Sequence, residues 1–145
     1  QCGCIRAFVP GLQEENEMAN CANYDVVSDA NTLLDIAQDP DQDFGLGFDS
    51  TINLGIRSVL SYMIDPGSTG VTFKMSIVNA NIPTSSDQVI TIVVPPTQLP
   101  SLSPHVRQEV IDANVFKKVG NTLRIQVTAG RANFSDIVIM YKSIL

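Results

Sequence analysis

The sequence predicts an all-β chain that folds as an antiparallel two-sheet sandwich behind an extended N-terminal arm. Three observations lead to this fold class. Several short segments alternate apolar and polar residues, which is the period of a β-strand. Turn signals that contain proline and glycine separate these segments. The composition, 44% hydrophobic and 17% charged, is too apolar for a disordered chain and too poor in charge for a coiled coil.

With 145 residues, the chain has the size of one domain. We divide it into a cysteine-containing arm, residues 1–22, and a β-sandwich domain, residues 23–145. In the N-terminal part, the pattern predicts a short strand at residues 5–9, one or two helical turns at residues 29–37 and an acidic loop at residues 39–50.

Two alternating segments follow, at residues 51–65 and 71–78. Pro66 presets φ for a turn and Gly67 tolerates positive φ, so the residues between the two segments predict a hairpin. One face of each segment is apolar and should point into the core: Ile52, Leu54, Ile56, Leu60, Tyr62 and Ile64 in the first, and Val71, Phe73, Met75 and Ile77 in the second.

The next segment, residues 88–94, is a continuous β-branched run. Such a run is typical of a strand that is buried on both faces, and Pro95 and Pro96 should end it. Residues 105–113 fit either a short helix or an irregular crossover.

Strands are predicted again at residues 122–128 and 134–142, with a turn at residues 129–133 between them. Apolar residues on both sides of the last strand indicate a central position in a sheet. The inward residues should be Leu123, Ile125 and Val127 in the first of these strands, and Ile137, Ile139 and Tyr141 in the second. In total we expect about eight strands, as in a sandwich or barrel.

The C-terminal third also carries a resemblance to a known family. Residues 119–127 read V-G-N-T-L-R-I-Q-V, Gly130 follows, and residues 134–139 read F-S-D-I-V-I. This pattern resembles the closing strands of jelly-roll domains of the galactose-binding-like type, which occur in many carbohydrate-binding modules. The resemblance implies an antiparallel jelly-roll sandwich, and it implies sugar binding as one activity of that fold.

Sugar-binding members of this type usually offer an exposed aromatic ring, and here the chain departs from them. It has no Trp, and two of its three tyrosines, Tyr62 and Tyr141, fall on faces assigned to the core. Tyr24 is the tyrosine that remains for stacking. We therefore expect no strong binder on a glycan array.

The charge pattern argues against two classes of partner. The net charge is −6, and apart from Lys117 and Lys118 the nine Lys and Arg residues are spread singly, which disfavours nucleic-acid binding. No apolar run approaches the roughly 20 residues of a membrane helix. The composition and the start at Gln1 fit a mature extracellular or cell-surface protein, although an excised domain fits the start equally well.

No catalytic constellation is visible in the sequence, and we expect no enzyme. The single histidine, His105, has Ser101 and Ser103 near it, but the chain contains no G-x-S-x-G motif. No phosphate-binding glycine loop and no zinc spacing is present.

Calcium is the one cofactor that the sequence suggests. Asp39, Asp41 and Asp43 alternate as at the start of a calcium loop, and Asp49 is a further candidate ligand. The glycine and glutamate of that motif are absent, since position 44 is Phe and position 50 is Ser. A solvated acidic turn is the interpretation that the sequence favours.

Three cysteines, Cys2, Cys4 and Cys21, are the most unusual feature. An odd number leaves at least one without a partner in the chain, so we expect crosslinks between subunits. A zinc site with His105 is the alternative, although this spacing is not a standard one. Asn133, in Asn-Phe-Ser, is a candidate glycosylation site.

These observations leave two hypotheses for function. The first is a non-catalytic extracellular structural subunit, which associates with copies of itself through sandwich packing and the cysteine-bearing arm. The alternative is a carbohydrate-binding module or lectin, whose partner is a glycan.

Overall fold

The computed structural model describes residues 20–49, 51–80 and 88–144. In this part of the chain there are seven strands and no α-helix. They are β1 (Asn20–Ser28), β2 (Thr32–Asp35), β3 (Asp41–Leu46), β4 (Ser58–Ala80), β5 (Gln88–Leu99), β6 (His105–Ile111) and β7 (Asn121–Ile144). No helix among the described residues is long and apolar enough to cross a membrane.

Two long strands organise the fold. β4 and β7 pair antiparallel over almost their whole length, from Val59 opposite Met140 to Asn79 opposite Asn121. β1, β2 and β3 follow one another along the other edge of β7, and β5 and β6 do the same along the far edge of β4.

This array bends in the middle and thereby forms two layers. We call the layer of β6, the first half of β4, the second half of β7 and β1 sheet I. Sheet II contains β5, the second half of β4, the first half of β7 and β3. The prediction of an antiparallel two-sheet jelly-roll sandwich is confirmed. Counting each long strand twice gives nine strand segments in the described part of the chain, compared with the roughly eight expected.

The hairpin predicted at Pro66 and Gly67 is wrong. The chain continues as one strand, β4, because the segments on both sides pair with β7; Pro66 lies opposite Ala132 and Val71 opposite Gly130. The turn predicted at residues 129–133 is wrong for the same reason. At both positions the turn residues mark a bend within a strand, because the segments on either side pair with the same neighbouring strand.

The core lies between the two sheets. Phe73 of sheet II packs edge to face on Phe134 of sheet I at 5.5 Å, and Tyr62 of sheet I lies 6.3 Å from each of these rings. The inward faces predicted for β4 and β7 are largely confirmed, and β7 is central as expected. The buried residues include Leu60, Tyr62, Ile64, Val71, Phe73, Met75, Ile77, Leu123, Ile125, Val127, Ile137, Ile139 and Tyr141.

Three segments that were not predicted as strands are strands. Residues 29–37 contain β2 instead of helical turns, and the acidic residues 39–50 contain β3. Residues 105–113 contain β6 instead of a helix or crossover. Each of these strands gains its hydrogen bonds from an edge of β4 or β7, which local propensity does not reveal.

The burial predicted for residues 88–94 is also wrong. β5 pairs with β4 alone among the described strands, and Val89, Ile90 and Ile92 are about half exposed. Pro95 and Pro96 do not end the strand, because the register with β4 shifts between Phe73 and Met75 and a bulge accommodates them.

The arm lies mostly outside the described residues, as does the strand expected at residues 5–9. β1 begins at Asn20, before the boundary expected at residue 22. The division between arm and domain stays a prediction.

Candidate functional site

The outer face of sheet I carries a row of apolar side chains across four strands. Tyr24 of β1 lies opposite Met140 of β7, Met140 opposite Val59 of β4, and Val59 opposite Val110 of β6. Side chains alternate between the faces of a strand, so these register neighbours share the solvent-facing surface. Tyr24 is 51% exposed. It is the tyrosine that the sequence left available for stacking.

A groove of about 400 Å³ opens along this row, and we call it the Tyr24 groove. This volume lies at the lower end of the range for ligand-binding sites. Val59 and Met140 contribute the apolar lining beside the tyrosine ring. The full lining is Ala22, Asn23, Tyr24, Arg57, Val59, Met140, Tyr141 and Lys142.

Two cations lie in the lining of this groove in a protein of net charge −6. Lys142 follows Met140 on the same face of β7, opposite Ala22. Arg57 precedes β4, and its Nε lies 3.7 Å from Asp112 Oδ1 with both side chains mostly exposed. Such an exposed pair is weak, so Arg57 is free to turn toward a ligand. The groove therefore combines an apolar floor with hydrogen-bond donors.

Ring packing and hydrogen bonds hold the strands behind the groove. The ring of Tyr141 packs on Phe48 at 5.0 Å, and its hydroxyl oxygen accepts a hydrogen bond from the Asp49 N–H at 3.0 Å. Asn23 Oδ1 accepts from the Tyr24 N–H at 2.9 Å, and Asn23 Nδ2 donates to Ser143 Oγ at 3.4 Å. These bonds fix the backbone that carries Tyr24.

A second polar cluster, which was not predicted from the sequence, lies at the β6 edge between the sheets. Tyr62 is fully buried and its hydroxyl donates to Glu109 Oε1 at 2.9 Å, while Arg107 Nε lies 3.5 Å from the same oxygen. Burial raises the pKa of the Tyr62 phenol above its ordinary value, and the charge of Glu109 raises it further. Only the pairing of β6 with β4 brings these residues together.

Two of the four aspartates proposed for calcium, Asp43 and Asp49, take separate structural roles. Both oxygens of Asp43 accept hydrogen bonds from Arg124, at 2.8 and 2.9 Å. The hydrogen bond and charge of Arg124 lower the pKa of the Asp43 carboxyl. Asp49 Oδ1 accepts two bonds from Thr51, each at 3.1 Å.

Within residues 20–49, 51–80 and 88–144, no three His, Cys, Asp or Glu side chains come close enough to hold a metal. The arrangement of Asp39 and Asp41 therefore adds no support for calcium, and calcium binding stays a prediction.

None of the remaining candidate residues in the described part of the chain lines the Tyr24 groove. His105 begins β6, with Nδ1 3.0 Å from the Ser103 carbonyl oxygen. Asn133 is partly buried in β7, between Leu33 and Asp65. Cys21 is buried and disulfide-bonded in β1, whereas Cys2 and Cys4 lie outside the described residues.

No protein-family model matches the chain, and no curated protein matches it. Among solved structures, it is similar to CBM29_1, a family 29 carbohydrate-binding module from Piromyces equi. That similarity has a TM-score of 0.52 and 12% identity, and it covers 83% of this chain and 91% of that chain.

It is also similar to a chain of the infectious bursal disease virus particle. Here the TM-score is 0.56 with 11% identity, and 94% of this chain matches 36% of that chain. A similarity to the CBM22-1 and GH10 modules of a Clostridium thermocellum xylanase, 13% identical, covers 84% of this chain and 26% of that one; its TM-score of 0.47 is too low to bear on the fold.

At these identities the similarities establish a fold and no more. The chain has a β-sandwich of the jelly-roll type found in carbohydrate-binding modules, and the resemblance noted in its C-terminal third is confirmed at this level.

Proposed function

We propose that the chain is a non-catalytic carbohydrate-binding module, with the Tyr24 groove as its sugar-binding site. The observation that carries this proposal is the half-exposed Tyr24 ring beside Met140 and Val59, with Arg57 and Lys142 in the same groove. A sugar ring has an apolar face of C–H groups and an edge of hydroxyl groups. The face would stack on Tyr24, and the hydroxyl groups would accept hydrogen bonds from the two cations.

The structural similarities support the proposal in one respect. This chain matches nearly the whole of CBM29_1, so an isolated sandwich of this size is the unit that carries sugar binding in that protein. The groove limits the affinity for sugar, because one tyrosine offers far less stacking area than several aromatic rings. Binding should therefore be weak, and polysaccharides should reveal it better than short sugars immobilised on an array.

The test is a titration of the full chain with soluble polysaccharides up to millimolar sugar, using neutral xylan and glucomannan and acidic polygalacturonate. We expect Tyr24→Ala to weaken binding about tenfold, which corresponds to about 1.4 kcal/mol. Tyr24→Phe is the matched control, because it keeps the ring and should bind within about threefold of the wild type, or about 0.7 kcal/mol.

Two results contradict the proposal in different ways. If Tyr24→Ala binds as well as the wild type, the sugar site lies elsewhere. If the wild type binds none of the polysaccharides, the chain is not a module for these glycans. In either case the variants must keep the wild-type melting temperature, which an exposed position allows.

A structural subunit that associates with its own copies is the second candidate. The observation that favours it is a group of exposed apolar side chains on one strand of the sandwich, Val89, Ile90 and Ile92 on β5. The similarity to a virus-particle chain is compatible with this candidate. Both candidates fit an extracellular or cell-surface location, which we propose from composition and fold. The native mass in solution tests the second candidate, and the polysaccharide titration tests the first.

A further inference from the structure

We propose that the first part of β5 is a self-association edge, which pairs antiparallel with the same strand of a second copy. The two copies of sheet II would then form one continuous sheet. The inference rests on the second candidate function, for which it names the contact surface, and it is independent of sugar binding at the Tyr24 groove.

Among the described edge strands, β5 is the one that contains no charged residue. An edge strand presents unpaired N–H and C=O groups, and proteins commonly place charged side chains there to prevent pairing with another chain. Among the described strands, β5 pairs only with β4. No residue of its Gln88–Leu99 sequence is charged. The other described edge strands each contain a charge: Asp25 in β1, Asp35 in β2, Asp41 and Asp43 in β3, and Arg107 and Glu109 in β6.

The sequence of β5 is symmetric about Thr91. From Val89 to Val93 it reads V-I-T-I-V in both directions. In an antiparallel pair with a two-fold axis at Thr91, each threonine faces its own counterpart, and Ile90 faces the counterpart of Ile92. Pairs of β-branched residues and of threonines stabilise neighbouring antiparallel strands. The symmetry therefore favours an identical copy as the occupant over an unrelated extended peptide.

The side chains that would meet are exposed in the isolated chain. Ile90 is 54% exposed and Ile92 is 55% exposed, on the outer face of sheet II. They lie opposite Val78 and Ser76 of β4, which are buried. Pairing with a second copy would therefore add one more strand to sheet II, beside β5, and would extend the outer face that is already packed at these residues of β4.

The length of the edge limits the assembly to two chains. The register with β4 shifts between Ile92 and Val94, which places a bulge at Val93. Pro95 and Pro96 follow and have no N–H to donate. Regular pairing is therefore confined to a short segment, and a two-fold contact through it closes on itself instead of forming a fibre.

The experiment measures the molar mass of the full chain by sedimentation over a wide concentration range. Reductant is present throughout, so that cysteine bridges do not contribute. We expect the wild type to reach a two-chain mass. Ile90→Lys combined with Ile92→Lys should raise the dimer dissociation constant at least tenfold. The control is Val106→Lys combined with Val110→Lys, which adds the same charge at the exposed edge of sheet I and should leave the dimer intact.

A second measurement tests the register. Directly opposed residues in an antiparallel pair have Cα atoms about 4.5–5.5 Å apart, within the reach of a disulfide. Thr91→Cys should therefore link two copies through position 91 on oxidation, as peptide mapping would detect, whereas Thr97→Cys beyond the prolines should not. A wild type that stays monomeric, a lysine variant that keeps the two-chain mass, or equal linking at position 97 would overturn the proposal. Ile90 and Ile92 lie in sheet II, whereas Tyr24 lies in sheet I. Polysaccharide titration of the Ile90→Lys, Ile92→Lys variant therefore shows separately whether sugar binding is retained.

Discussion

Gly130 packs directly against Gly70, where the two long strands pass from sheet I into sheet II. A Cβ atom on Gly130 would overlap the carbonyl oxygen of Gly70, and one on Gly70 would overlap the carbonyl oxygen of Leu99. Both glycines also have positive φ, 69° and 76°. Three backbone segments therefore meet at a point where no side chain fits, and this contact lets β4 and β7 bend together.

Replacing Gly130 with alanine should destabilise the fold strongly. The new methyl group meets backbone that cannot move without separating β4 from β7, and alanine disfavours this positive φ, so we expect a loss of about 3 kcal/mol or more. Gly45→Ala is the matched control, since no atom lies within 4 Å of its added Cβ. Urea unfolding of the two variants checks the prediction, and a similar midpoint for both would contradict it.

This bend also shows how far the sequence could predict the fold. Alternation in β4 and β7 identified the inward residues correctly, because side-chain period depends only on local geometry. The turn signals at Pro66 and Gly67 could not distinguish a hairpin from a bend within one strand. The two structures differ in which strand pairs with the segments before and after these residues, and the local sequence does not contain this information. β2, β3 and β6 were missed for a related reason, since they are strands only because an edge of β7 or β4 is available to them.

Tyr62→Phe should lower stability by about 1–3 kcal/mol. The hydroxyl of Tyr62 is buried and donates to Glu109, so its removal takes a hydrogen bond from a partly buried carboxylate without a replacement. Tyr24→Phe is the control, because its ring is half exposed, and it should change stability by less than about 0.5 kcal/mol. Both values come from denaturant unfolding at neutral pH, and equal stabilities for the two variants would show that the bond to Glu109 contributes nothing.

The candidate site was predictable in part. Tyr24 was left as the exposed tyrosine once the strand pattern had assigned Tyr62 and Tyr141 to the core, and both are buried. Arg57 and Lys142 were not predictable as its neighbours. They are far from Tyr24 in sequence, and only the register of β1 with β7 and of β7 with β4 places them beside it.

Asp43→Asn should destabilise the protein at neutral pH and have little effect in acid. Arg124 lowers the pKa of Asp43 in the folded state, below the value of about 3.9 for an unfolded aspartate. The ion pair therefore stabilises the fold above about pH 4 and loses this contribution as pH falls through the folded-state pKa. Because Asp43 is partly exposed, we expect about 0.5–1 kcal/mol at pH 7.

The control for this prediction is Asp41→Asn, on the same face of β3, which should have a smaller effect. Urea unfolding of Asp43→Asn and the wild type at neutral pH and near pH 3 supplies the measurement. The difference between the two proteins should be smaller at the lower pH, and a constant difference at both pH values would mean that the ion pair is not the cause.

The cysteines should form one covalent link between chains under oxidising conditions. Cys21 is disulfide-bonded and buried, so it is not available to a neighbour, and the odd number of cysteines leaves one thiol over. One thiol per chain permits a covalent dimer but not a longer ladder, which needs two links per subunit. A non-reducing gel should therefore show a dimer band that disappears with reductant.

Cys21→Ser releases the partner of Cys21 as a second thiol, so this variant should form longer covalent species and lose about 3 kcal/mol of stability. A wild type that runs only as a monomer without reductant would exclude crosslinking, and unchanged stability of Cys21→Ser would show that its disulfide does not hold the fold.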